Sequence, residues 1–320
     1  MRWKILPLLA LLAFSCGKKQ PLNVVLIGID TLRADHLSCY GYERKTSPNI
    51  DQLAEEGVLF ENTISQSPWT LPSFATVLTS LYPTQHGAAS LDCRMKATFP
   101  PLAMILLKRG YSTGAIINAP FLRGEYGLTR GFEYYSVMPF GAQRRADEVT
   151  LDALEWIDKN KDKPFFIFVH YYDPHLPYDP PAPYDTIFDP DYIGILGNSF
   201  DLSLFPAAAV KKFENMKILS SKDWDHIRAL YDGEIAFNDK AVGELIRGLE
   251  ERGLRSNTLI VLLSDHGEEF YEHKGFEHGH TLYNELLHVP LIISLPQKLP
   301  SGKRIPTMVR LVDVTPTILD

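Results

Sequence analysis

The 320-residue sequence predicts an α/β domain with a mostly parallel central sheet and helices on both faces. Three observations predict it. Apolar runs without polar alternation recur at Asn23 to Ile29, Phe165 to His170 and Leu259 to Leu263, which is how strands covered on both faces read. Segments of helical period fall between these runs. Polar clusters follow the runs at their C-terminal ends, where ligands collect in open α/β sheets.

Arg2 and Lys4 flank the start of an apolar run from Ile5 to Phe14, and Ser15-Cys16 follows. A basic end, a short apolar stretch and a small residue predict a secretory leader over 1–15. The run is too short to span a bilayer, which takes about 20 residues. Ala13-Phe14-Ser15-Cys16 resembles the lipobox of bacterial lipoproteins. That resemblance implies an exported chain held by a lipid on Cys16 at the periplasmic face of the outer or inner membrane, with 16–22 as a tether. The first strand, Asn23 to Ile29, ends at Asp30. Pro48 to Gly57 predicts a helix with Pro early and Gly at the stop. Val58 to Ile64 predicts a strand, and Pro72 to Leu81 a helix. Phe99 to Arg109 predicts a helix closed by Gly110, and Ser112 to Asn118 a strand followed by a Gly-rich loop. Glu148 to Asn160 is amphipathic. After the strand at Phe165, residues 171–205 form a long Pro- and Asp-rich stretch with Tyr172, Tyr178, Tyr184 and Tyr192. That stretch either roofs the site or forms an exposed insertion. Residues 222–252 predict one long or two consecutive helices. Leu259 to Leu263 and Val289 to Ser294 are the last strands.

Composition excludes several functional classes. An apolar fraction of 45% with 22% charged residues excludes a disordered chain or a fibre. Three Cys are too few for a disulfide scaffold or several thiolate zinc sites. With Cys16 lipidated, only Cys39 and Cys93 remain to pair. A net charge of −7 opposes binding to a nucleic-acid backbone.

Three polar clusters carry the candidate chemistry. Asp30 follows the first strand. His170, Asp173 and His175 follow the strand at Phe165, and Asp265 and His266 the strand at Leu259. Carboxylate and imidazole together suit zinc, manganese or iron, and calcium when oxygen dominates. Thr70 precedes the Pro72 helix, whose N-terminus favours anions. A hydroxyl there, beside a metal, is a candidate nucleophile, as well as an ordinary capping residue. Gly110-Tyr111-Ser112-Thr113-Gly114 matches the letters of a nucleophile elbow but follows a helix and opens a strand, so it is set aside. His273, His278 and His280 match no zinc spacing and read as a loop cluster.

In this order the motifs resemble the sulfatase family of the alkaline phosphatase superfamily. The anchors are Ile29-Asp30-Thr31-Leu32-Arg33-Ala34-Asp35, Thr70-Leu71-Pro72-Ser73, Asp173-Pro174-His175-Leu176-Pro177, Ser264-Asp265-His266-Gly267-Glu268 and His278-Gly279-His280-Thr281-Leu282-Tyr283. The resemblance implies one divalent metal (manganese, zinc or calcium) held by Asp30, Thr70, Asp265 and His266. A second ion would draw on Asp173 and a nearby His. Thr70 stands where the family has its nucleophile, and His175 where it has a His near the leaving group. His278 or His280 falls near a basic residue that binds the transferring group. Asn118 sits where many sulfatases carry a Lys.

The departures from the pattern also carry information. Thr70 replaces the Cys or Ser that sulfatases oxidise to formylglycine, and Phe74 replaces an Arg of that motif. Thr31 replaces a second Asp, and His266 replaces Asn. A Thr nucleophile is similar to that of the phosphodiesterase and phosphoglycerol- or phosphoethanolamine-transferase branches. The resemblance therefore implies a phosphate- or sulfate-ester hydrolase with phosphoesters favoured. Its substrate would be anionic, with a glycan or lipid head group as the alcohol. The competing class is an inactive anion-binding lipoprotein. The family's catalytic domain continues past the phrase at Val312 to Asp320 into a small subdomain, so 23–320 reads as a catalytic domain cut before it.

Overall fold

β1 (Asn23–Ile29) is buried along its whole length in the middle of the sheet. Val25, Ile27 and Ile29 enter one core and Val24 and Leu26 the other, so neither set can be polar. The computed structural model describes residues 21–139, 142–202 and 219–320. The expected leader, Cys16 and the tether up to residue 20 lie outside the described residues.

The chain continues through α1 (Pro48–Glu55), β2 (Val58–Phe60), β3 (Thr63–Ile64), α2 (Thr70–Thr79), α3 (Pro83–His86) and α4 (Leu102–Lys108). Next come β4 (Ser112–Ile117), β5 (Tyr134–Val137), α5 (Ala146–Asn160), β6 (Phe165–Tyr171) and α6 (Ser221–Glu251). The last third holds β7 (Thr258–Ser264), β8 (Glu269–Phe270), β9 (Phe276–Glu277), α7 (Asn284–Leu287), β10 (His288–Val289), β11 (Leu291–Ser294), β12 (Lys303–Ile305), β13 (Val309–Arg310) and α8 (Val314–Leu319).

Eight strands form the main sheet in the order β12-β2-β11-β7-β1-β6-β4-β5. All run the same way except β11, which is antiparallel to both β7 and β2. α1, α5 and α6 cover one face, and α2, α4 and α8 the other. This is the expected α/β architecture. Register brings three polar ends together: Gly28 lies opposite His170, and Ile29 opposite both Tyr171 and Ser264. Asp30, His170 and Asp265 therefore emerge together at the C-terminal end of the parallel strands.

Several boundaries differ from expectation for identifiable reasons. The run Val58 to Ile64 divides, because its halves pair in different sheets: β2 with β11, and β3 with β10 and β13. Val289 to Ser294 divides at Pro290, which has no N–H to continue a ladder. β5 and β12 lie at the two sheet edges, partly exposed, and lack a two-sided apolar run. α6 is one continuous helix of 31 residues, started by a Ser220–Asp223 capping box. The Pro-rich stretch is packed rather than splayed. Tyr184 lies against Phe237, and Tyr192 stacks on His226 at 3.7 Å, so both fasten the stretch to α6. Cys39 and Cys93 are both free thiols. Among the described residues no helix is long and apolar enough to cross a membrane.

Candidate active site

Asp30 follows β1 at the C-terminal end of the sheet, and Thr31 turns the chain away from it with φ 54°, a left-handed value unfavourable for a β-branched residue. Side chains from elsewhere hold that turn. Tyr231 on α6 donates its hydroxyl to the Thr31 carbonyl at 2.7 Å, and the Leu32 N–H donates to Ser264 Oγ at 3.0 Å. The buried Arg33 guanidinium bonds Asp35, Glu272 and the Glu268 carbonyl, tying the β7 exit loop to the β1 exit.

Asp30, Asp265 and His266 are fully buried, and one ligand atom from each lies within 4.8 Å of the others. His266 Nε2 stands 3.5 Å from Asp30 Oδ1 and 3.3 Å from Asp265 Oδ2. Its Nδ1 faces the Gly267 carbonyl at 2.9 Å, which assigns the proton to Nδ1 and leaves Nε2 a free lone pair. The four carboxylate oxygens of Asp30 and Asp265 are buried with no well-formed hydrogen bond, although the Thr31 and His266 N–H groups and the Thr70 and Ser264 hydroxyls lie nearby. Burial raises both aspartates well above the usual carboxylate range, and at Asp30 the neighbouring Asp265 and Glu268 charges add to it. Burial drives His266 well below its ordinary value. Two buried carboxylates and one free imidazole nitrogen fit a divalent cation, which would offset the repulsion between the two charges.

Thr70 is the first residue of α2, not a residue ahead of it. Its hydroxyl is 3.4 Å from His266 Nε2 and within bonding reach of Asp30. Hydrogen bonds among Ser65, Ser67 and Ser73 fix the turn that delivers it. α2 approaches β1 closely: a Cβ on Gly28 would stand 2.6 Å from the Phe74 ring. Phe74 also lies against His170, with ring centroids 4.9 Å apart.

A second row of residues faces this group. His175 stacks on Tyr172 at 4.2 Å, and its Nδ1 faces the Leu176 carbonyl at 2.7 Å. Burial lowers it to about 4, so at neutral pH it is uncharged. His278 lies 5.0 Å from the His175 ring and 4.4 Å from the His266 ring, with Nδ1 2.9 Å from Glu268 Oε1. His280 instead pairs with Glu269 at 3.1 Å, and His273 stacks on Tyr283. The three loop histidines therefore do not converge on one point. Both ends of the Asn118 amide are taken by the Arg144 backbone, through Nδ2 to the carbonyl at 2.5 Å and Oδ1 from the N–H at 2.8 Å.

Sequence reasoning left Glu268 without a role, placed His170 only in the polar cluster after the Phe165 strand, and placed Tyr178 only in the Pro-rich stretch. Glu268 is fully buried, and burial raises it to about 7; Tyr178 donates to it at 3.2 Å. His170 Nε2 is 3.6 Å from Asp30 Oδ2. The available signal was position: Glu268 stands two residues after His266, and His170 ends an apolar strand.

Residues 22–320 match the family profile described as Sulfatase. The chain belongs to the sulfatase family. It is 26% identical to an arylsulfatase of Clostridium perfringens, covering 93% of this chain and 74% of that protein. It is equally identical to an N-acetylglucosamine-6-O-sulfatase of Bacteroides thetaiotaomicron, covering 99% and 71%. The phosphonate monoester hydrolase of Agrobacterium radiobacter shares the fold, with a TM-score of 0.73 at 24% identity over 93% of this chain and 73% of that one. A structure solved with its substrate D-glucosamine-2-N,6-O-disulfate superposes at 0.78 and 22% identity, covering 94% and 76%. This sulfatase-family chain is a sulfatase-like ester hydrolase. The family's enzymes are metal-dependent, in keeping with the Asp30, Asp265 and His266 group.

Proposed function

We propose that this chain hydrolyses an anionic ester through a covalent intermediate on Thr70, with phosphoesters as the favoured substrates. The observation that carries the reading is the Thr70 hydroxyl at the start of α2, 3.4 Å from His266 Nε2 and beside Asp30. A divalent ion held by Asp30, Asp265, His266 and Thr70 would supply charge neutralisation and a lowered hydroxyl pKa. Thr70 Oγ forms a bond to the phosphorus or sulfur as the bond to the leaving oxygen breaks. The hydroxyl proton passes to the neighbouring Asp30 carboxylate. Free N–H groups at the start of α2 receive the anion. The bound anion raises His175 from its low resting value, so that Nε2 takes up a proton from solvent and passes it to the leaving oxygen. Water then opens the Thr ester and restores the hydroxyl.

Thr70 supports phosphoesters because its methyl-bearing Cβ cannot become the aldehyde on which formylglycine sulfatases depend. Sulfate-ester hydrolysis is the second reading, favoured by the names of the two curated relatives, one of which specifies a sulfated amino sugar. A glycan or lipid head group is the proposed alcohol. The test is a parallel assay of phosphodiesters, phosphomonoesters, phosphonate monoesters and sulfate esters, with intact mass of a trapped Thr70 adduct. Turnover that survives Thr70→Ala overturns the assignment. Metal binding with no hydrolysis of any ester favours the anion-binding class.

A further inference from the structure

Behind the His175 loop lies a second group of dry oxygens, outside the site just described. The carboxyl groups of Asp173 and Glu234 lie near one another. Glu234 is 3% exposed, and Asn238, one helical turn further along α6, is 1% exposed. Glu234 Oε1 accepts the Asp179 N–H at 2.7 Å, and Asn238 Nδ2 donates to the Asp173 carbonyl at 2.5 Å. Asp173 Oδ2, Glu234 Oε2 and Asn238 Oδ1 are all shielded from solvent without a partner. Among the described residues neither carboxylate has an ion-pair partner within 4.0 Å; Arg145 acts on Asp173 from further off.

The amide of Asn238 is the informative member. Its Nδ2 bond to Asp173 fixes the amide plane, so Oδ1 cannot turn away to a donor elsewhere. Asn238 lies four residues after Glu234, on the same face of α6. A single shared proton would join Asp173 to Glu234 and leave Asn238 Oδ1 unsatisfied. A cation answers all three oxygens and balances two carboxylates.

We propose that Asp173, Glu234 and Asn238 form a second, non-catalytic site for a hard, oxygen-seeking divalent cation such as calcium, with water completing its coordination. An all-oxygen donor set suits calcium or magnesium, not zinc. The partners of Asp173 are thus on α6, not the nearby His. Bound there, the ion would pin the Asp173–His175 turn to the long helix. Burial raises Asp173 to about 6 and Glu234 well above its ordinary range, as expected for carboxylates awaiting a countercharge.

The test counts calcium on chelator-stripped full chain by equilibrium dialysis and elemental analysis. In Asp265→Asn, which disables the first site, one equivalent is expected, with a rise in Tm on adding calcium. In Asp265→Asn with Glu234→Gln, both the bound calcium and the Tm rise are expected to vanish. Gln keeps the shape of a protonated Glu, and far-UV circular dichroism checks that the variant folds. No calcium in Asp265→Asn, or the same amount in both variants, overturns the proposal and leaves a shared proton as the occupant. Wild-type turnover with manganese, zinc or calcium tests the catalytic reading separately.

Discussion

At the scale of single residues, the catalytic reading rests on a hydroxyl and the two aspartates and one imidazole around it. Thr70→Ala is expected to cut kcat by about 10³-fold or more, as removal of a covalent nucleophile does. Thr70→Ser keeps the hydroxyl and is expected to retain measurable turnover; steady-state kinetics on one ester compare the two. Glu268 gives a pH prediction. Its carboxyl is raised to about 7 by burial, above its ordinary 4.5. The protonated form is the one the fold favours, so its contribution is complete below about 4.5 and is lost as pH rises through about 7. A shift of that size corresponds to about 3 kcal/mol. In metal-stripped protein, Glu268→Gln is therefore expected to match wild type near pH 4.5, to be the more stable form by pH 7.5, and to gain nothing further above it. Urea titrations across that range check it; a constant difference would refute it.

At the scale of elements, the close contact of β1 with α2 places Thr70. Gly28→Ala puts a Cβ 2.6 Å from Phe74 and 3.0 Å from Phe168. It is expected to cost about 1–3 kcal/mol by overpacking and to lower turnover as the start of α2 shifts. Thermal melts and kcat measure the two effects; an unchanged Tm would show that Phe74 yields freely. Legibility from sequence followed the same geometry. β1, β6 and β7 were readable because burial on both faces leaves only apolar residues, and their polar ends pointed to Asp30, Asp265 and His266. The edge strands β5 and β12 were not readable, since a half-exposed strand carries no such run. The Pro-rich stretch was undecided because stacking on α6 depends on contacts such as Tyr192 with His226, which no local pattern encodes. Glu268 stood in plain view beside the ligands, but its burial comes from Tyr178 and the His278 loop, far away in sequence.

At the scale of the whole molecule, the net charge of −7 works against an anionic substrate. Repulsion at long range is screened by salt, with a Debye length of about 30 Å at 0.01 M and about 10 Å at 0.1 M. kcat/KM for an anionic ester is therefore expected to rise over that range, and for a dianion more than for a monoanion. A fall with salt would show that local positive potential governs capture. The shared C-terminal end of β1, β6 and β7 has one more consequence, for the order of folding. The hydrogen bond from Leu32 to Ser264 joins positions 232 residues apart, and the three ligands assemble only when such distant segments have paired. Contacts of that range form slowly. During synthesis Asp30 leaves the ribosome early and waits for Asp265 and His266 through most of translation. Acquisition of the ion in refolding experiments should consequently trail the formation of helices, and its kinetics would serve as a clock for completion of the central sheet.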